Sequence, residues 1–338
     1  MTLRRSFTIA FLVFAARALA ATAAHEHARQ DAPRILLDQP IRAVEYQLGR
    51  LTNEELVLVE RNTQDPKYRP VYIAMLVRKG IPPQYRDEAI AALTKLDKTS
   101  AGRVILDALA KVPDDDELTT EKLLALLFAQ PAPALRSDRD QFLSTLDTAS
   151  APRVLRGAYG ALMIADGKPD PAWQAAEKHG RQIVELLRSV PYLPSAAGGA
   201  NLRSQLFTPV SALAGSAKDP EIRAAAFGAL GWTRRDAATF SVLAREVIDG
   251  DDPVVLASAI RSLQALPDDA WPSAEIEPLA RAIVAKVTAL APEARTEPAA
   301  LDLIQLGERL SAKLAPAAGR AVRRDLRALG VRVVRIET

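Results

Sequence analysis

One pattern occurs four times in this sequence and leaves few folds open to it: a proline followed, at fixed offsets, by small and large apolar side chains. Two residues after Pro83, Pro152, Pro220 and Pro253 stand Tyr85, Val154, Ile222 and Val255. The sixth offset holds Ala89, Ala158, Ala226 and Ala259, and the seventh holds Ile90, Tyr159, Phe227 and Ile260. Small residues return at the ninth (Ala92, Ala161, Ala229, Ser262), and leucine fills the tenth (Leu93, Leu162, Leu230, Leu263). The prolines lie 69, 68 and 33 residues apart, which is two, two and one repeats of a period of about 34.

Proline suits the first helical turn, where its missing N–H would have had no partner. Offsets two, six and ten are four apart and so line one helical face, which seven and nine widen. Alanine at six lets a neighbouring helix approach closely, and the large residues fill the space between. Asp219 and Asp252, just before two of the prolines, are placed as N-caps. Such a unit cannot bury its apolar face alone; copies must stack. The expected fold is therefore all-α: an α-solenoid of antiparallel helix pairs with a period of about 34, wound as a right-handed superhelix. Thr52 with Glu55 reads as a capping box opening a helix over about 52–63. Further helices are expected near 68–79, 100–111, 117–129, 133–147, 171–189, 235–249, 275–290, 297–314 and 316–329, separated by Pro, Gly and Asp punctuation. The solenoid is assigned to 41–330, with a loop break near 191–201 around Gly198-Gly199. Only Val331–Ile336 reads as a strand, giving 331–338 as an unpaired strand-like tail.

The first residues read as an export signal. Arg4 and Arg5 precede an apolar run, Thr8–Ala16, too short to span a bilayer, and small-x-small patterns follow at 18–20 and 21–23. Arg4-Arg5-Ser6-Phe7 is also similar to a twin-arginine signal. Residues 1–23 are thus expected to be a signal peptide, 24–40 a flexible mature N-terminus, and the product periplasmic or extracellular. The whole chain has 44 basic and 41 acidic side chains. The leader holds three arginines and no acid, so the remainder is formally neutral, which gives no electrostatic support for binding nucleic acid. No later stretch is long and apolar enough for a membrane span. Cysteine is absent and there are three histidines, so thiol chemistry and Cys-ligated metals are excluded and Ser/His arrangements are nearly so.

Lys218-Asp219-Pro220-Glu221-Ile222-Arg223-Ala224-Ala225-Ala226, continuing to Ala229-Leu230-Gly231, resembles the first helix of a HEAT repeat. Over a longer span, Arg42–Leu48, Lys67–Tyr72, Trp271-Pro272 and Leu329–Val333 are similar to HEAT-repeat regions of exported planctomycete-type proteins. In those proteins such a region commonly precedes a plastocyanin/azurin-like copper domain. The resemblance implies that Val331–Ile336 begins such a β domain, truncated here. It implies no cofactor in this chain, and copper only if a downstream cupredoxin domain exists, because the His, Cys and Met ligands have no counterpart here.

The remaining polar features have structural readings. His25-Glu26-His27 is expected in a polar tail and His179 on a solvated helix face. Asp114-Asp115-Asp116 and Asp249-Gly250-Asp251-Asp252 lack calcium-loop spacing and sit where helix caps are wanted. The sharpest feature is a basic stripe: Arg320, Arg323, Arg324 and Arg327 fall at i, i+3, i+4 and i+7 of the last helix, opposite Val322, Leu326 and Leu329. It reads as the polar face of a terminal repeat or as a docking surface for an acidic partner or a following domain. No catalytic, cofactor or metal residue is assigned. The expected function is a non-catalytic exported scaffold for an unidentified protein partner; the alternative is the helical module of an exported redox protein.

Overall fold

The structure, a computed structural model, describes residues 32–195 and 202–329. The expected signal peptide, His25, His27, Gly198-Gly199 and the expected strand-like segment from 331 lie outside those residues. The described residues are all-α, with no strand among them. The chain divides into two compact units, Met1–Leu123 and Leu124–Thr338.

In the first unit the helices are α1 (Ile41–Arg50), α2 (Asn53–Leu58), α3 (Arg69–Val77), α4 (Pro83–Leu96) and α5 (Ala101–Leu109), and α6 (Glu117–Phe128) begins. The Thr52 capping box forms as expected: Glu55 N–H donates to Thr52 Oγ1 at 3.2 Å and Thr52 N–H to Glu55 Oε2 at 2.8 Å. The helix it opens stops at Leu58 rather than 63. Val59 turns to an extended conformation that leaves its side chain 4% exposed, so burial overrides the continuing helical pattern. Helix α3 packs on α1, α4 and α5 and supplies Val71, Tyr72, Met75 and Leu76 to the core.

The second unit continues with α7 (Ala132–Ser137), α8 (Arg139–Thr148), α9 (Pro152–Asp166), α10 (Asp170–Lys178), α11 (Ile183–Ser189), α12 (Leu202–Gln205) and α13 (Phe207–Ser216). After these come α14 (Pro220–Thr233), α15 (Ala237–Asp249), α16 (Pro253–Ala265), α17 (Ser273–Ala289), α18 (Pro298–Lys313) and α19 (Pro316–Ala328). Helices α9, α11, α14, α16 and α18 each pack on the next of that series, and α15, α17 and α19 do likewise. Two expected helices are interrupted. The one over 133–147 breaks at Asp138, and the one over 171–189 breaks at His179-Gly180, where Gly180 takes φ +62°. That left-handed conformation is inexpensive only for glycine.

The four aligned prolines all occupy the first helical turn, in α4, α9, α14 and α16. Their sixth-offset alanines are all fully buried, at 0% exposure. Tyr85 and Ile222, at the second offset, are only half-buried. The reason for small residues is clearest between α14 and α16. A Cβ on Gly231 would stand 2.9 Å from Ser262 O, and Ser262 Oγ donates to Phe227 O at 2.8 Å. Gly160 of α9 is likewise covered by the Phe128 ring, which occupies the place of a Cβ.

Helix C-termini leave carbonyls without intrahelical donors, and here cationic side chains from other helices or their flanks reach them. Arg78 donates to Leu51 O (2.7 Å) and Leu48 O (2.5 Å) at the end of α1, and buried Arg86 donates to Arg78 O (2.6 Å). In the second unit Arg136 reaches Ala165 O (3.0 Å), while Arg235 reaches Ala265 O (2.9 Å) and Arg309 reaches Gln264 O (2.6 Å). Lys286 of α17 holds the end of α15 through Val247 O (3.2 Å), Ile248 O (3.3 Å) and Gly250 O. Each cation also lies favourably in the field of the helix dipole.

Ala226→Leu is expected to overpack the α14 face and cost about 1–3 kcal/mol, whereas Ala237→Leu, at an exposed position, should stay within about 0.5 kcal/mol of wild type. Denaturant midpoints of the two variants measure this; equal midpoints would place the buried face elsewhere.

Candidate functional site

The basic stripe lies on α19, and the way α19 is seated decides which arginines reach solvent. Val322 and Leu326 are buried. A Cβ on Gly307 of α18 would meet Leu326 Cδ1 at 3.1 Å, and one on Gly319 of α19 would collide with Ser311 O. These two glycines bring the helices into close contact. Arg323 faces that seam, half-buried, and its Nη1 donates to Ser311 Oγ at 3.3 Å. Arg320, Arg324 and Arg327 are exposed. Arg324 pairs with the adjacent Asp325 at 3.0 Å, while Arg320 and Arg327 have no ion pair among the described residues. Of the four expected docking residues, three share an open face and the fourth serves the helix packing.

A second feature was not singled out from the sequence. The first two turns of α10 and Pro209 of α13 enclose an open cleft of about 240 Å³, lined by Pro169, Asp170, Trp173, Gln174, Glu177 and Pro209. Asp170, Trp173, Gln174 and Glu177 stand at i, i+3, i+4 and i+7, one helical face. Trp173 is half-buried, and its Nε1–H donates to Glu177 Oε1 at 2.8 Å. That bond occupies the electropositive edge of the indole, whose faces carry its negative quadrupole. Asp170 and Glu177 are exposed, and neither forms an ion pair among the described residues. The signal was present in the order Asp170-Pro171-Ala172-Trp173, with Glu177 one turn on; the helix was expected, but the shared face of its polar residues was not read.

Most other notable ionisable groups have structural partners. His179, expected on a solvated helix face, is half-buried: at the end of α10 its side chain is 22% exposed, with Nε2 3.1 Å from exposed Asp147 Oδ1. Asp116 and Asp252 are caps, accepting from Thr119 N–H (3.1 Å) and from Val254 and Val255 N–H (2.9 and 3.1 Å). A chain of ion pairs runs across α9, α11 and α14: Arg156 to Glu185 (3.0 Å), Glu185 to Arg188 (2.6 Å), Arg188 to Glu221 (3.3 Å) and Glu221 to Arg181 (2.6 Å). Trp271 lies buried under Arg309 and Lys313, which are 4.7 and 5.2 Å from its ring centroid, with Phe240 at 5.3 Å. Both cations also hold Asp268, at 3.3 and 2.8 Å, and their hydrogen bonds draw its carboxyl below the usual carboxylate range. Burial pushes the Tyr159 phenol well above its ordinary value. Its OH donates to Gln182 Oε1 at 2.8 Å. Among the described residues no three His, Asp or Glu side chains come together as a metal site.

No protein-family model, no curated protein and no solved structure matches this chain.

Two outcomes follow from these pairings. Glu185→Ala removes the buried carboxylate that Arg156 and Arg188 share, and is expected to lower stability by up to about 3–5 kcal/mol in urea unfolding. Asp268 has a folded pKa below its unfolded value, so its contribution is full above the unfolded pKa and disappears as pH falls through the folded one. Asp268→Asn should therefore lower Tm at neutral pH, and the gap to wild type should close in strong acid. A gap that widens on acidification would reverse the assignment.

Proposed function

We propose that this chain is a non-catalytic exported scaffold, its helix pairs stacked as a HEAT-like α-solenoid with a repeat of about 34 residues, and that it works through protein–protein contacts. The observation that carries this reading is α19. Its apolar side is spent on α18, while Arg320, Arg324 and Arg327 are presented together on the opposite face. Several other arginines, such as Arg78, Arg136 and Arg309, are committed to carbonyls of neighbouring helices, whereas these three lie exposed on one face with a single ion pair among the described residues, Arg324 to Asp325, a cluster of positive charge suited to an acidic partner. The aligned proline-led helices and their consecutive packing in the second unit support the repeat.

A second reading rests on the segment Val331-Arg332-Val333-Val334-Arg335-Ile336: the helices form one module of an exported redox protein, and the stripe docks the domain that follows. In that reading copper or haem belongs to another domain, and no residue of this chain ligates it.

A photo-crosslinking residue at exposed Ala328 tests the docking surface in the native host. Discrete protein adducts are expected, and they should disappear when Arg320, Arg324 and Arg327 are all replaced by Glu. Adducts unchanged by that reversal, or none at all, would remove the basis of the scaffold assignment.

A further inference from the structure

The cleft on α10 and the stripe on α19 match one another. Reading along α10, Asp170, Trp173 and Glu177 are separated by three and then four residues; reading backwards along α19, Arg327, Arg324 and Arg320 have the same separations. At 1.5 Å per residue each set spans roughly 10 Å, and two helices laid antiparallel keep the sets in step. Arg327 then meets Asp170, Arg320 meets Glu177, and Arg324 lies over the indole between them.

Each of these meetings is chemically sound, and Arg324 exchanges an exposed pair with its neighbour Asp325 for the indole. Asp170 and Glu177 have no cation, and Arg320 and Arg327 no carboxylate, among the described residues. A guanidinium binds a carboxylate through paired, charge-assisted N–H bonds and stacks on an aromatic face. The Trp173 ring is held in place by its own bond to Glu177, and it lines the open cleft together with Pro209, which leaves room beside it for a planar guanidinium. Within one chain, α10 packs on α9 and α11, and α19 on α17 and α18.

We propose that the Asp170–Trp173–Glu177 cleft is the receptor for the Arg320–Arg324–Arg327 stripe of a second copy of this chain, joining copies head to tail. This deepens the scaffold reading, because it names the acidic partner of the stripe. The contact pairs two different surfaces, so it is heterologous, and successive copies add until a ring closes or a filament grows. Its charges are exposed, which makes the association weak and strongly salt-sensitive.

Sedimentation of the full chain over rising protein concentration, at low and at high salt, tests this. Concentration-dependent association is expected at low salt and should disappear at high salt. The stripe variant Arg320→Glu/Arg327→Glu and the cleft variant Asp170→Arg/Glu177→Arg should each be monomeric. Mixed in equal amounts, the two should associate again, since each carries one native surface; this arm keeps the result readable if one variant is less stable than wild type. A wild-type chain that stays monomeric at low salt, association that survives either reversal, or a mixture that remains monomeric would overturn the proposal. Charge-dependent crosslinks from Ala328 to a different protein, with the chain monomeric, would overturn it while leaving the scaffold reading in place.

Discussion

The constraint on which this structure depends is the exposed end of the helix. A chain built from many short helices creates many carbonyl groups that have lost their intrahelical donors, and each is costly if it is buried without a partner. Capping by the chain's own backbone meets part of that need, as Gly167 does in the left-handed conformation at the end of α9. For the rest the molecule uses arginine and lysine. Arg78, Arg136, Arg235, Lys286 and Arg309 each cross from one element to the last turn of another. Apolar packing brings the helices together, but it is non-directional; the cation-to-carbonyl bonds fix where one helix ends relative to its neighbour.

This use of charge explains why a chain whose residues after 23 are formally neutral keeps so many basic side chains. Their acidic counterparts are used in a similar way, in the Arg156–Glu185–Arg188–Glu221 chain and around Asp268. Paired charges of this kind give little free energy at the surface and are exacting about geometry when buried. On α10 and α19, by contrast, charges of one sign lie along one exposed helical face, and the functional reading rests on that clustering.

The core was legible in the sequence and the polar bonding was not, for a physical reason. Burial follows periodicity, so the proline offsets placed Ala89, Ala158, Ala226 and Ala259 on inward faces with no knowledge of the neighbouring helix. Asp219, Asp252 and Thr52 were legible as caps because their partners lie within three residues. Arg86 and Lys286 were not, since a long flexible side chain meets a carbonyl whose position depends on how other helices pack. The breaks at Asp138 and His179-Gly180 were missed where a helical pattern continued across a residue that the packing turns aside. Half of the candidate site was visible: the α19 stripe is periodic, but the seam at Gly307 and Gly319 that withdraws Arg323 from it is a tertiary fact. The Trp173 cleft needed Pro209 from another helix before it existed as a cleft at all.

The carbonyl bonds have a consequence for how such a chain can be recombined. Because the end of α15 is held by α17, and the end of α16 both by α18 and by Arg235 ahead of α15, the groups that complete a helix pair are carried by the pairs on either side of it. The sequence repeat and the exchangeable unit therefore do not coincide. A segment cut at repeat boundaries and moved elsewhere would arrive without the cations that close its last helices and would leave its predecessor open. Duplication or swapping within this molecule is tolerable only in overlapping blocks, each longer than the period that the prolines announce.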